Sequence, residues 1–89
     1  MTKEAEIERQ LKILGNRRRL AILNLLRKKK EADVTTISEA IRLSFTSTSK
    51  HLTMLERAGF VDKEQRSLNV YYYLSDHAPS ITSTILAMF

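Results

Sequence analysis

A mainly α-helical domain with one small β-hairpin, ordered as four helices, two strands and a closing helix, is what the sequence predicts. Three observations carry that prediction. Apolar residues recur at helical spacing as far as Ala58, the period changes to two after Gly59, and Asn, Asp, Ser or Thr stands before four of the five helical patterns as a start signal. The 89 residues suffice for one small domain, expected to span residues 1–89 without a linker.

Lys3 to Leu14 places Ile7, Leu11 and Leu14 on one stripe among Glu and Lys, the pattern of an amphipathic helix. Gly15 is expected to end it in a left-handed conformation. Asn16 is the natural N-cap of a second helix, apolar at Leu20, Ile22, Leu23, Leu25 and Leu26, and therefore central. It closes on Arg27-Lys28-Lys29-Lys30, where cations complement the helix C-terminal dipole; the run reads as a solvated helix end, with a phosphate-contacting patch as the alternative. Glu31 to Thr35 reads as a polar connector, in which Asp33 or Thr35 caps a short third helix that buries Ile37, Ala40 and Ile41. Only Arg42-Leu43-Ser44 separates this helix from a longer fourth one, and two helices joined so tightly form a helix-turn-helix.

The fourth helix organises the rest. In SFTSTSKHLTMLERAGF, Ser44 to Phe60, helical spacing puts Thr48, Leu52 and Leu55 on a core side and Thr46, Lys50, Thr53 and Arg57 on a polar one, with Ala58-Gly59 as the stop. Beyond it, Val61 to Arg66 and Val70 to Leu74 alternate as two strands. Ser67-Leu68-Asn69 is the expected turn, with Asn69 taking the positive φ. Val70, Tyr72 and Leu74 are expected to face the core, Tyr71 and Tyr73 to face outward. Ser75 or Asp76 is expected to cap a last helix running to about Met88, with Pro79 in its first turn. Its apolar residues, Ile81, Ile85 and Phe89 among them, call for a cover. The first helix, or a second copy of both helices, is the economical one.

The formal net charge is +5, which favours nucleic acid or another anionic surface as partner. With no Cys there are no disulfides, thiolate zinc ligands or thiol nucleophiles. No apolar run approaches the roughly 20 residues of a membrane span, and MTKEAEIERQ lacks a signal-peptide core, so a cytoplasmic protein is expected. No Gly-rich phosphate loop and no spaced Ser, His and acid set suggests catalysis, so no enzyme is expected and no catalytic residue is assigned.

The order of elements is that of a winged helix-turn-helix, and specific strings point to a family. LGNRRRLAILNLL at 14–26, LSFTSTSKHLTMLERAGFV at 43–61 and VYYYL at 70–74 resemble the opening helix, recognition helix and second wing strand of the ArsR-type transcription regulators. The most specific part is Ser49 to Val61, similar to the family's S-[KR]-H-L-x-x-L-x-x-A-G-[FL]-V. The resemblance implies a homodimer built from the first and last helices, bound to a pseudo-palindromic operator in double-stranded DNA and repressing transcription. It also places Ser47, Ser49, Lys50 and His51 at recognition-helix positions that approach DNA, and Arg66 near the wing tip. Three departures from the family pattern stand out: Phe45 replaces a polar residue, Arg42 stands where the turn often has Gly, and the wing lacks its Gly. Many members sense metals through Cys or through Asp and His on the last helix. Here the third-helix segment has neither thiol nor His, and Asp76 with His77 falls short of a zinc set, so neither a metal site nor a cofactor is expected.

The resulting expectation is a recognition helix at about 44–58 in the major groove and a wing at about 61–74 on the backbone or minor groove. Thr46, Ser47, Ser49, Lys50, His51, Thr53, Arg57 and Arg66 are the candidate DNA contacts, and Ile7, Leu11, Leu14, Ile81, Ile85 and Phe89 the candidate dimer interface. Lys and Arg can hold phosphates or guanine edges, and short hydroxyls reach either without bulk. His51 is expected as a packed or phosphate-bonded imidazole. Phe45 is read as an edge of the core, with a thymine-methyl contact as the alternative. The competing function is a winged-helix module that binds protein, or DNA without operator specificity.

Overall fold

Two helices, α1 (Lys3–Leu14) and α2 (Arg17–Lys29), lead into a short strand β1 (Glu31–Asp33), the pair α3 (Val34–Ile41) and α4 (Phe45–Arg57), a hairpin of β2 (Val61–Arg66) and β3 (Asn69–Leu74), and α5 (Ile81–Leu86). This arrangement comes from a computed structural model that describes residues 1–89.

Helix α2 lies at the centre, as its apolar circumference requires. Ile22, Leu23 and Leu26 are fully or almost fully buried, and they meet Ile37 of α3, Leu52 and Leu55 of α4, Phe60, Val61 and Tyr72 in one core. Its start is built as expected: the Asn16 side chain accepts from the backbone N–H groups of both Arg18 and Arg19, at 3.0 and 3.1 Å. Asp33, rather than Thr35, caps α3 through the Thr36 N–H at 2.9 Å, and that bond holds its carboxyl below the ordinary carboxylate range.

Five expectations are corrected. Ala40 of α3, expected in the core, is exposed, and Ser38 is buried beside Ile37 instead. Glu31–Asp33 is a strand rather than a plain connector: it pairs antiparallel with β3, Glu31 opposite Tyr73 and Asp33 opposite Tyr71, giving a three-stranded sheet in the order β1-β3-β2. Gly15 is not left-handed, with φ −76°; a Cβ there would come within 3.1 Å of the Leu11 carbonyl oxygen, so close approach is what suits glycine to the position. In the hairpin, Ser67 rather than Asn69 carries the positive φ, 57°, and Asn69 already belongs to β3. Helix α5 begins at Ile81 and ends at Leu86, shorter than expected, and Ser80 caps it without a side-chain bond. A residue before proline is driven out of the α region, so Ala78 cannot continue a helix into Pro79 and the first turn forms after it. The stop after α4 is as read, with Gly59 at φ 85°.

Candidate nucleic-acid interface

The turn between α3 and α4 sets the angle of the fourth helix. Arg42 adopts a left-handed conformation, φ 56°, and the Leu43 N–H donates back to the Ser38 carbonyl at 3.0 Å. From α2, the Arg18 guanidinium donates to the Ile41 carbonyl at 2.6 Å, satisfying an acceptor that the end of α3 leaves open. Ser44 then starts α4 by accepting from the Ser47 N–H at 3.1 Å. With Thr48, Leu52 and Leu55 buried against the core, the opposite side of α4 has no protein against it.

That side carries most of the expected residues. Phe45, Thr46, Ser49, Lys50, Thr53, Met54 and Arg57 border one open groove of about 520 Å³. Thr46, Lys50 and Arg57 are exposed, Ser49 and Thr53 half-buried at its margin, and neither cation enters any of the ion pairs in the molecule. Phe45 is not a core edge: 58% of it is exposed, because the core side of this turn is taken by Thr48. Ser47 is half-buried and lies outside the groove.

His51 sits at the border of this face and the core, half-buried, and its Nδ1 lies 3.1 Å from Arg19 Nη1. Arg19 is the residue that sequence reasoning missed. Only 8% exposed, it donates through Nε to the Ile13 carbonyl at 2.5 Å, through Nη2 to the Lys12 carbonyl at 3.3 Å, and through Nη1 also to Met54 Sδ at 3.6 Å. One guanidinium thus joins the last turn of α1 to α4. The signal was its phase: Arg19, Ile22, Leu23 and Leu26 stand at i, i+3, i+4 and i+7, so Arg19 occupies the buried stripe of α2.

The wing differs from expectation in its charge. Arg66 is bound by Glu31 at 2.5 and 2.7 Å and by Glu64 at 3.0 Å, and its guanidinium stacks 4.8 Å from the centre of the Tyr71 ring. These bonds raise the pKa of Arg66 and lower that of Glu31. Lys63 pairs with Glu56 of α4 at 3.4 Å. The wing cations are therefore committed within the protein, and Leu68, 95% exposed, leads its tip.

Away from α4, the ends of α1 and α5 frame an apolar groove of about 300 Å³, lined by Leu11, Leu14, Gly15, Leu20, Ile85, Met88 and Phe89. Ile7, Leu11 and Phe89 are 45%, 50% and 59% exposed, Ile81 and Ile85 are half-buried, and Leu14 is already within the core at 3%. No three His, Cys, Asp or Glu side chains come together as metal ligands.

The model of the bacterial regulatory proteins of the arsR family matches residues 16–63, more than half of the chain. The chain belongs to the ArsR family. The matched segment of this ArsR-family chain runs from the N-cap of α2 through the recognition helix into β2. It is similar to the transcriptional activator HlyU of Vibrio cholerae, 38% identical over 65 residues that make up 73% of this chain and 59% of HlyU. It is also similar to the cadmium resistance transcriptional regulatory protein CadC of Listeria innocua, 35% identical over 73% of this chain and 55% of CadC. The chain thus spans rather more than half the length of these curated relatives. In structure it matches HlyU from Vibrio cholerae with a TM-score of 0.83 at 32% identity, over 99% of this chain and 94% of that one. The homodimeric winged helix-turn-helix DNA-binding domain of Mb0332 from Mycobacterium bovis matches with a TM-score of 0.77 at 30% identity, over 94% and 74%. These relatives are regulators, not enzymes, and the fold of this chain is their winged helix-turn-helix.

Proposed function

We propose that this ArsR-family chain is a homodimeric, sequence-specific DNA-binding regulator that represses transcription by occupying a pseudo-palindromic operator. The observation that carries the reading is the open face of α4: two cations without protein partners, flanked by hydroxyls, on a helix whose other side is fully seated in the core. Such a face fits the major groove, where Lys and Arg reach phosphates or guanine and Thr or Ser reaches either. Ser47 and His51 supplement it from the flank, while Arg66 braces the wing.

Dimerisation is supported by the apolar groove between α1 and α5, whose lining residues Leu11 and Phe89, together with Ile7 one turn earlier on α1, are left in water by a single chain. The Mycobacterium bovis neighbour is described as homodimeric, and HlyU as an activator. Two copies joined there set their recognition helices about one DNA turn, roughly 34 Å, apart.

Selection from a random DNA pool with the purified protein tests the reading. The expected outcome is a pseudo-palindrome bound about a thousandfold more tightly than bulk DNA. Equal binding to all sequences rejects it in favour of an architectural or protein-binding module. Transcription in vitro from a promoter overlapping the selected site decides the sign of regulation, with reduced transcript expected.

A further inference from the structure

The contact between Arg19 and His51 has chemistry that the DNA-facing surface alone does not explain. Arginine only donates hydrogen bonds, so at 3.1 Å His51 Nδ1 must be the acceptor and cannot carry a proton. A neutral imidazole then holds its single N–H at Nε2. That nitrogen makes no hydrogen bond within the protein and is not enclosed, so it opens to solvent at the border of the α4 face. The guanidinium cannot turn away, because the Ile13 and Lys12 carbonyls at the end of α1 hold its other donors.

We propose that Arg19 is a positioning residue: it locks His51 in the Nε2–H tautomer, so that the imidazole presents one fixed donor to a phosphate oxygen or base acceptor beside α4. The assignment rests on the DNA-binding reading above. It also links the recognition helix to α1, since the same guanidinium closes the end of that helix. His51 then acts as a neutral donor whose direction is set from the protein side. The charged groups facing it are Arg19 and Arg18 of α2, both cations, with no carboxylate among them. Burial first, then these two arginines, hold its pKa below the ordinary imidazole value, so His51 is neutral at pH 7.

Two readouts separate the parts of the proposal. Long-range ¹H–¹⁵N NMR of the free, full chain reports the tautomer without DNA. The expected signature is a protonated Nε2 and bare Nδ1 at pH 7. In Arg19→Met the expectation is a mixed tautomer and a His51 pKa raised toward the ordinary value. A mixed or Nδ1–H tautomer in the unaltered protein overturns the lock. The second readout is affinity for the duplex recovered by random-pool selection. His51→Gln places an amide N–H near the position of Nε2 and is expected to keep most of the affinity, whereas His51→Asn, which reaches only the Nδ1 position, is expected to lose about tenfold. Arg19→Met combined with His51→Asn should weaken binding no more than the stronger single change, since both act through one donor. Circular dichroism of each variant confirms folding, and the His51 variants carry the test if Arg19→Met unfolds. Equal affinity of the Asn and Gln variants overturns the donor role even if the tautomer is as expected. Recovery of no preferred duplex overturns the DNA-binding reading and the donor role with it, leaving the NMR result to stand for the contact alone.

Discussion

At the scale of single residues, the α4 face separates into charge and shape. Lys50 is exposed and without a partner on the open face of α4, where the proposed function has it hold a phosphate. Lys50→Ala is expected to weaken operator binding and to lower the slope of log affinity against log salt by about one, measured by fluorescence anisotropy across a salt series. Phe45 carries no charge and presents an aromatic edge at the first turn of the same helix, where it can cover a thymine methyl. Burying one methyl contributes roughly 0.8 kcal/mol, a factor of about four in affinity. Replacing thymine by uracil in the selected operator is therefore expected to cost about fourfold at one position with the natural protein and nothing with Phe45→Ala; an equal loss for both proteins excludes the contact. Lys50 and its face are legible in the sequence because helical phase alone separates them from Leu52 and Leu55. Phe45 and Arg19 mislead for opposite reasons: an aromatic residue suggests the core and a guanidinium suggests the surface, and each is overridden by its position on the helix.

At the scale of elements, the wing is braced by charge. Arg66 joins β2 to β1 through Glu31, and within β2 it meets Glu64, so in the free protein its charge is paired across the sheet. Arg66→Gln is expected to leave the salt slope unchanged, in contrast to Lys50→Ala, and to speed amide exchange along β1 and β3. The pH dependence has a definite sign. Glu31 has a folded pKa below its ordinary 4.5, so its pairing stabilises the fold above that pH and the contribution disappears as pH falls through the folded value. Urea denaturation is expected to show Arg66→Gln less stable than the natural protein at pH 7, with the gap narrowing below about pH 4.5; a constant gap excludes the ion pair as its source. Helices α1 to α4 are legible because each repeats its apolar spacing over several turns and three of them carry Asn, Asp or Ser caps. Strand β1 is not, since three residues with one buried side chain, Ala32, have no period to read. It exists because β3 has a second edge, which is a fact about distant residues. The late start of α5 follows from Pro79, a local rule that the apolar content of the segment conceals.

At the scale of the whole molecule, the proposed dimer rests on the exposed apolar surface between α1 and α5. Leu11 is half exposed in the single chain, so a charge there can be tolerated by the fold but not by a second copy packed on it. Leu11→Glu is expected to retain its helical circular dichroism and to sediment as a monomer near 10.3 kDa, while the natural protein sediments at twice that mass at micromolar concentration. Operator affinity of Leu11→Glu should fall with the loss of dimerisation, because each half-site then binds alone. A natural chain that is itself monomeric removes the dimer from the proposal.

The short strand β1 has one more consequence. Its last residue, Asp33, is opposite Tyr71 in the sheet and is also the N-cap of α3, so β1 passes into the helix-turn-helix through a single residue held on both sides, a second tie beside the Ala58 to Phe60 link from α4 to the hairpin. A wing mounted this way has little freedom to swing toward a groove of the wrong width. In the proposed complex the adjustment then falls to the nucleic acid, and an operator whose base steps bend easily between two half-sites is expected to be favoured at positions that no side chain touches.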